Sequence, residues 1–121
     1  MLFRSATISK LEVIHRQFVS ATENGDSAAA ALLNRRFHGA ISDGTNNQYL
    51  QRFLTMAENT VRRFGRSTLE MPQRMTASVE QHRAIIDAII MGDEDKADEL
   101  AKSHLREARE ARIDAYIKAH T

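Results

Sequence analysis

The sequence predicts an all-α protein folded as an antiparallel helical bundle. Breakers divide the 121 residues into five stretches, and each stretch repeats apolar residues at the three- to four-residue spacing of an amphipathic helix. No segment alternates apolar and polar residues as a half-buried strand does. A chain of this length holds one hydrophobic core, so residues 1–121 are expected to form a single domain.

The first three helices each end at a helix breaker. We expect the first from about Thr7 to Glu23. The second begins after Asp26 or Ser27, either of which is a good N-cap, and ends at Asp43-Gly44. The third covers residues 47 to 64. Their apolar faces consist of Ile8, Leu11, Ile14 and Phe18 on the first helix, Leu33, Phe37 and Ile41 on the second, and Leu50, Phe53, Leu54, Ala57, Val61 and Phe64 on the third.

The last two helices follow a polar segment. Residues 65–77 contain a glycine and the only proline, which predicts a loop that crosses one end of the bundle. The run Ser78-Val79-Glu80-Gln81 has the form of a capping box, so helix four is expected to begin near Val79. Gly92-Asp93 then ends helix four and caps helix five, which covers about Glu94 to Lys118. The apolar faces consist of Ile85, Ile86, Ile89 and Ile90, and of Ala97, Leu100, Ala101, Leu105, Ala108 and Ala111.

Composition narrows the classes of function. The formal net charge of +1 supplies no overall field to hold a polyanion, so nucleic acid is not an expected partner of this chain by itself. The absence of cysteine removes disulfides, thiolate metal sites and thiol nucleophiles. No stretch approaches the roughly 20 apolar residues of a membrane span, and the N-terminus lacks the pattern of a cleaved signal. A cytoplasmic protein is therefore expected.

Three of the five histidines lie within apolar faces. His38 shares its face of the second helix with Phe37, and Asn34 lies one turn before it. His82 begins the apolar face of helix four, and His104 lies within that of helix five. Burying three imidazoles and an amide without partners costs roughly 1–3 kcal/mol each, and a shared divalent ion removes that cost. Imidazole suits zinc, nickel, iron or copper.

A single histidine on an apolar face is more often a neutral core residue that is hydrogen-bonded to a neighbour. Only the three together favour a metal site. His15, at the edge of the first apolar face, and His120, near the end of the last helix, are explained without a metal, so both are excluded from the site.

The same residues resemble a known family. The sequence contains Asn34-Arg35-Arg36-Phe37-His38, Asn46-Asn47-Gln48-Tyr49-Leu50, Ser78-Val79-Glu80-Gln81-His82, Gly92-Asp93 and Ser103-His104-Leu105. In this order and at these separations, they are similar to the FCD effector domain of GntR-type bacterial transcription regulators, over residues 5 to about 110. The resemblance implies a helical bundle that binds a divalent metal. It assigns the metal ligands to Asn34, His38, His82 and His104, with zinc or nickel as the expected ion.

The resemblance also implies a role in regulation. Such domains sense a small carboxylate or related metabolite at or beside the metal, and the bound metabolite changes how a homodimer holds operator DNA. Asn34 stands where many members carry aspartate, which weakens the electrostatic hold on the cation. The winged helix-turn-helix that precedes this domain in the family is missing, together with most of the domain's first helix. We therefore expect DNA contact only through a domain outside this chain, and self-association through apolar surface left uncovered.

Two other functions remain open. A small helical metalloenzyme could use the same histidines to activate water, although the faces that carry them contain no aspartate or glutamate to act as acid or base. A structural bundle could bind an acidic partner through Arg106, Arg109 and Arg112, although Glu107 and Glu110 alternate with these arginines and favour a solvated face.

Overall fold

Five helices make up the part of the chain that the structure describes. The computed structural model describes residues 5–45, 47–64 and 71–120. Within them no strand occurs, so the predicted all-α class is confirmed. The helices are α1 (Ser5–Glu23), α2 (Ser27–Gly44), α3 (Gln48–Phe64), α4 (Pro72–Ile90) and α5 (Glu94–Ala119). None of the described helices is both long and apolar enough to span a membrane.

Helix α1 packs against both α2 and α4. Helix α5 packs against α4, and α3 connects α2 with α5. The centre of the core lies where α1, α2 and α4 meet, and its largest apolar side chains are at most 2% exposed: Leu11, Phe18, Phe37, Ile41, Ile85 and Ile86. The core positions expected at Ala57, Val61 and Phe64 lie outside the described side chains.

Two turns of the same design connect the helix pairs α1–α2 and α4–α5. Gly25 and Gly92 adopt the left-handed conformation, with φ of 67° and 75°. In each turn the N–H of the following aspartate donates to the carbonyl five residues earlier at 2.9 Å, which satisfies the end of the preceding helix. The carboxylates of Asp26 and Asp93 accept the N–H three residues later at 3.1 Å. The predicted glycine ends and aspartate caps are confirmed, with Asp26 rather than Ser27 as the cap of α2.

The predicted start of helix four is wrong. Helix α4 begins at Pro72, so residues 72–77 are helical rather than part of a loop, while residues 65–70 lie outside the described residues. Proline suits the first helical position because its missing N–H has no acceptor there and its fixed φ is already helical. Ser78 consequently lies within the helix and is fully buried, so the run from Ser78 to Gln81 is not a capping box.

An ion pair fixes α4 against α1. The Arg83 guanidinium donates to both carboxylate oxygens of Glu12 at 3.0 and 2.8 Å, and also to Asp87 one turn along α4. The hydrogen bonds from Arg83 lower the pKa of Glu12. The Arg83 and Glu12 side chains are 38% and 28% exposed, so the pair contributes only up to about 1 kcal/mol. Its main effect is to fix the position of α4 along the axis of α1.

Replacing Gly25 by alanine should lower the free energy of unfolding by about 1–2 kcal/mol, because the left-handed conformation is strained for any residue with a Cβ. An added Cβ would meet no heavy atom within 4 Å, so the loss would come from the backbone alone. Gly39 lies inside α2 with equally open space, and alanine there should raise stability by about 0.5–1 kcal/mol. Urea unfolding measures both changes. Stability shifts of the same sign in the two variants would contradict this account of the turn.

Candidate metal centre

Three imidazoles from three helices converge in the core. His38 of α2, His82 of α4 and His104 of α5 each offer a ligating nitrogen, and these nitrogens lie within 4.8 Å of one another. The Nε2 atoms of His82 and His104 are 3.3 Å apart. The ring centroid of His38 lies 5.9 Å from that of His82 and 5.3 Å from that of His104. The structure thus brings together the three histidines that the sequence singles out.

Aromatic packing fixes the ring of His82, which is completely buried. Phe37 of α2 stacks on it with centroids 4.1 Å apart and planes inclined by 10°. Phe18 of α1 covers it at 4.7 Å. Because both phenyl rings are themselves fully buried, the imidazole has little freedom to turn, and its edge stays directed toward His38 and His104.

Gln81 sets the protonation of His104. Its side-chain Nε2 donates to the Glu107 carboxylate, which can only accept, so its Oε1 must face His104. The distance from this oxygen to His104 Nδ1 is 2.6 Å, and Nδ1 therefore carries the proton. The neutral ring then keeps a lone pair on Nε2, directed at the cluster. The sequence suggests only a capping role for Gln81. Its contact with His104 depends on how α4 and α5 pair, which no local pattern reveals.

Burial keeps the three imidazoles neutral. It lowers the pKa of His38 to about 4. It also lowers the pKa values of His82 and His104, which neighbouring histidines and the positive charge of Arg74 lower further. A neutral imidazole is the form that binds a metal, so at neutral pH no proton has to be removed first.

Two further buried polar atoms point to a cation. Asn34 Oδ1 and His38 Nε2, one turn apart on α2, have no hydrogen-bond partner among the described residues. An amide oxygen and an imidazole nitrogen are both metal ligands. The amide oxygen of Asn34, one turn before His38, and the three imidazole nitrogens would supply a donor set whose chemistry fits a divalent ion such as zinc or nickel.

The other two histidines lie outside this cluster. His15 of α1 is buried, with its ring centroid 6.3 Å from that of His82. Its Nδ1 finds no partner in the described part of the chain. His120 is exposed, and its ring stacks on that of Tyr116 with centroids 4.0 Å apart. Its Nδ1 donates a hydrogen bond to the Tyr116 carbonyl oxygen at 2.7 Å. The burial of His15 is greater than its position at the edge of an apolar face suggests.

No described carboxylate belongs to the cluster. The acidic groups on the flanking helix faces bind cations or amides instead. Glu12 and Asp87 bind Arg83, and Glu107 accepts from Gln81 and, at 3.4 Å, from Arg74. The cluster therefore offers lone pairs for a metal without an adjacent acid or base among these residues.

Comparison with known proteins places the chain in a family. Residues 2–107 match the family model of the FCD domain. The chain belongs to the FCD domain family. Two curated relatives, from Escherichia coli (strain K12) and Shigella flexneri, bear the provisional name L-lactate dehydrogenase operon regulatory protein. Each is 32% identical over 89 residues, which are 70% of this chain and 34% of the relative.

This FCD domain therefore spans about a third of the length of these curated relatives. No solved structure gives a significant match. The family and the relatives' name support an effector-binding regulatory domain.

Acidification should destabilise the metal-free domain. The three imidazoles have lowered pKa values in the folded state and a pKa of about 6.5 when unfolded, so the unfolded chain binds more protons below that pH. Stability is then fully present above about pH 6.5 and lost as the pH falls toward 4. From pH 7 to pH 5 the loss should be about 2 kcal/mol for His38 alone, and His82 and His104 add to it in the same direction. Urea unfolding of chelator-treated protein measures it. His38→Gln should remove one histidine's share, and an unchanged pH dependence in that variant would contradict the assignment.

Proposed function

We propose that this FCD domain is the effector-sensing, metal-binding part of a GntR-type transcription regulator. A divalent ion, zinc or nickel, binds His38, His82 and His104, with Asn34 as a weaker oxygen ligand. The observation that carries the proposal is the convergence of three neutral imidazoles, two of them buried and that of His38 half-buried, whose ligating nitrogens lie within 4.8 Å. Family membership supports the regulatory role.

Hydrogen bonding within the domain does not account for this cluster. The facing Nε2 atoms of His82 and His104 can share only one proton. The buried Nε2 of His38 and Oδ1 of Asn34 have no partner in the residues described. Each such atom costs roughly 1–3 kcal/mol when it is left unpaired. An ion that accepts all four lone pairs removes these costs together, and this favours a metal over a polar network.

An anionic effector follows from the charge of the proposed site. Three neutral imidazoles and a neutral amide leave the ion its double positive charge in a dry interior, where an anion is strongly attracted. Zinc and nickel can accept ligands beyond these four, so a carboxylate oxygen can complete the coordination. Because the relatives are named as regulators of an L-lactate dehydrogenase operon, small carboxylates, L-lactate among them, are the first class to test.

Operator binding belongs to another part of the regulator in this proposal. The chain aligns with about a third of the length of its curated relatives. Its net charge of +1 gives it no positive potential of its own to attract DNA. We assign DNA contact to a winged-helix domain outside this chain. The effector acts on a homodimer, by changing how the two copies hold the operator.

A metalloenzyme is the second candidate for the same histidines. Water activated by a metal usually needs a nearby acid or base, and the described part of the cluster holds no carboxylate. Glu12 of α1 and Asp87 of α4 instead bind Arg83. The arrangement therefore favours a sensor.

Zinc should raise the melting temperature of the wild-type domain by at least about 10 °C, because an ion at 1,000 times its Kd adds about 4 kcal/mol to the folded state. In His82→Ala most of this rise should disappear, since one of three nitrogen ligands is lost. Differential scanning calorimetry of chelated and zinc-loaded protein measures the rise. His15→Ala is the matched control, because His15 is also buried but lies outside the cluster, and it should keep the full rise.

Asn34→Asp tests the fourth ligand in the same assay. A carboxylate adds anionic charge to an otherwise neutral site, so the rise on zinc loading should increase. An unchanged rise would show that Asn34 lies outside the coordination sphere. An equal rise in wild type and His82→Ala would remove the metal proposal.

Carboxylate sensing should require the ion. A thermal-shift screen of small carboxylates, L-lactate among them, should give ligands that stabilise the zinc-loaded domain. The same ligands should bind at least 100-fold more weakly after chelation, because the ion supplies most of the positive charge at the site. Readding zinc should restore binding. Equal binding with and without zinc would place sensing elsewhere, and a screen without a single stabilising carboxylate would contradict the effector class.

A further inference from the structure

A line of buried polar side chains extends from the histidine cluster along α4. Arg74, Ser78 and His82 are spaced four residues apart, so they lie above one another on one face of the helix. Ser78 is 0% exposed and the Arg74 side chain is 12% exposed. Ser78 Oγ, Arg74 Nε and His82 Nδ1 are all buried without a hydrogen-bond partner among the described residues.

Buried hydroxyl and guanidinium N–H groups without partners are rare in folded proteins, because each loses its hydrogen bonds to water without forming new ones. Three in succession on one face of one helix indicate a shared missing partner. The groups at positions 74 and 78 can both donate hydrogen bonds, and the first carries a positive charge. The missing partner must therefore accept hydrogen bonds, and an anion fits best.

The Glu107 carboxylate does not fill this role. It accepts from Arg74 Nη1 at 3.4 Å on the exposed side of the pair, and its own side chain is half exposed. The buried Nε of Arg74 remains free for a second, internal partner.

A second arginine lies at the same level of the bundle. His82 faces His104 and Arg74 contacts Glu107, so α4 and α5 run antiparallel. In an antiparallel pair, a step toward the N-terminus of α4 corresponds to an equal step toward the C-terminus of α5. Arg74 lies eight residues before His82 and Arg112 lies eight residues after His104, so the two arginines lie at the same level of the bundle. Arg112 Nε is likewise buried without a partner in the described part of the chain.

The far end of the site is unsuited to an anion. A cavity of about 260 Å³ beyond the cluster lies next to the start of α5, and its lining includes Glu94, Asp95 and Asp98. Lys102 pairs with Asp98 at 3.0 Å, but three carboxylates against one ammonium still disfavour an acid there. The direction toward Arg74 instead presents positive charge.

We propose that Arg74 and Ser78 form an anion subsite beside the histidine cluster, and that the effector is a small dicarboxylate with one carboxylate on the metal and the other on this subsite. The metal end rests on the proposed function, whereas the subsite rests on α4 alone. A dianion also balances the double charge of an ion held by neutral ligands. A guanidinium is the side chain best suited to the second carboxylate, because its N–H groups match the two oxygens.

Succinate and butyrate are matched probes, because both have four carbons and differ in one terminal carboxylate. Isothermal titration of the zinc-loaded wild type should show succinate binding at least tenfold more tightly than butyrate. In Arg74→Gln the affinity for succinate should fall at least tenfold, while that for butyrate changes less than threefold. Arg109→Gln, which alters an exposed arginine of α5, should leave both affinities unchanged. Ser78→Ala should weaken succinate binding several-fold without affecting butyrate.

Zinc affinity separates this role from a structural one. Arg74 places positive charge near a cation, so Arg74→Gln should bind zinc at least as tightly as the wild type. Weaker binding of zinc, succinate and butyrate together would show that Arg74 merely supports the fold and would overturn the subsite. Unchanged succinate affinity would overturn it as well. Should the wild type bind no zinc, the proposed function fails, and the subsite is decided by succinate binding to the metal-free protein, which Arg74→Gln must abolish.

Discussion

The burial of His82 is the constraint on which the rest of the structure depends. Its ring contacts Phe18 of α1, Phe37 of α2 and His104 of α5, so one side chain of α4 touches three other helices. A charged imidazole is not stable in this position, and burial accordingly lowers its pKa. The centre of the core and the candidate site are thus the same group of residues. A ligand that needs the lone pairs of this group together binds the folded chain more tightly than the unfolded chain, and so adds to its stability.

Helix register is what turns three separate histidines into a cluster. The turn at Gly92-Asp93 closes with backbone hydrogen bonds at the end of α4 and a side-chain cap at the start of α5. One residue more or fewer in this turn would rotate α5 by about 100° and direct His104 away from His82. The Arg83–Glu12 ion pair holds α4 against α1 in the same way. A turn and an ion pair outside the cluster therefore help to determine whether the three histidines meet.

The sequence predicts the inward positions of the three histidines, but it does not predict all of their contacts. Spacing along a helix fixes which residues share a face, so the inward positions of His38, His82 and His104 could be read from the apolar pattern alone. The turns at Gly25 and Gly92 could also be predicted from the sequence, because few residues other than glycine tolerate a positive φ. The start of α4 was missed because a four-residue capping pattern at Ser78 competed with Pro72, whose preference for the first helical position proved stronger. The contact of Gln81 with His104 depends on pairing between helices, which no local sequence pattern reveals.

The arrangement of the helices explains how an ion in this cluster could serve regulation. Helix α2 packs closely on α1 and α3, whereas it meets α4 and α5 through side chains such as Phe37 and His38. In the proposed site an ion joins α2 to the α4–α5 pair through coordination bonds. An effector that bound equally well to every arrangement of these helices would shift nothing, however tight its binding. An acid held at once by the ion and by Arg74 of α4 binds best when the ion lies close to α4, and His38 and Asn34 must follow the ion. Such an effector therefore acts by changing the position of α2 relative to the α4–α5 pair.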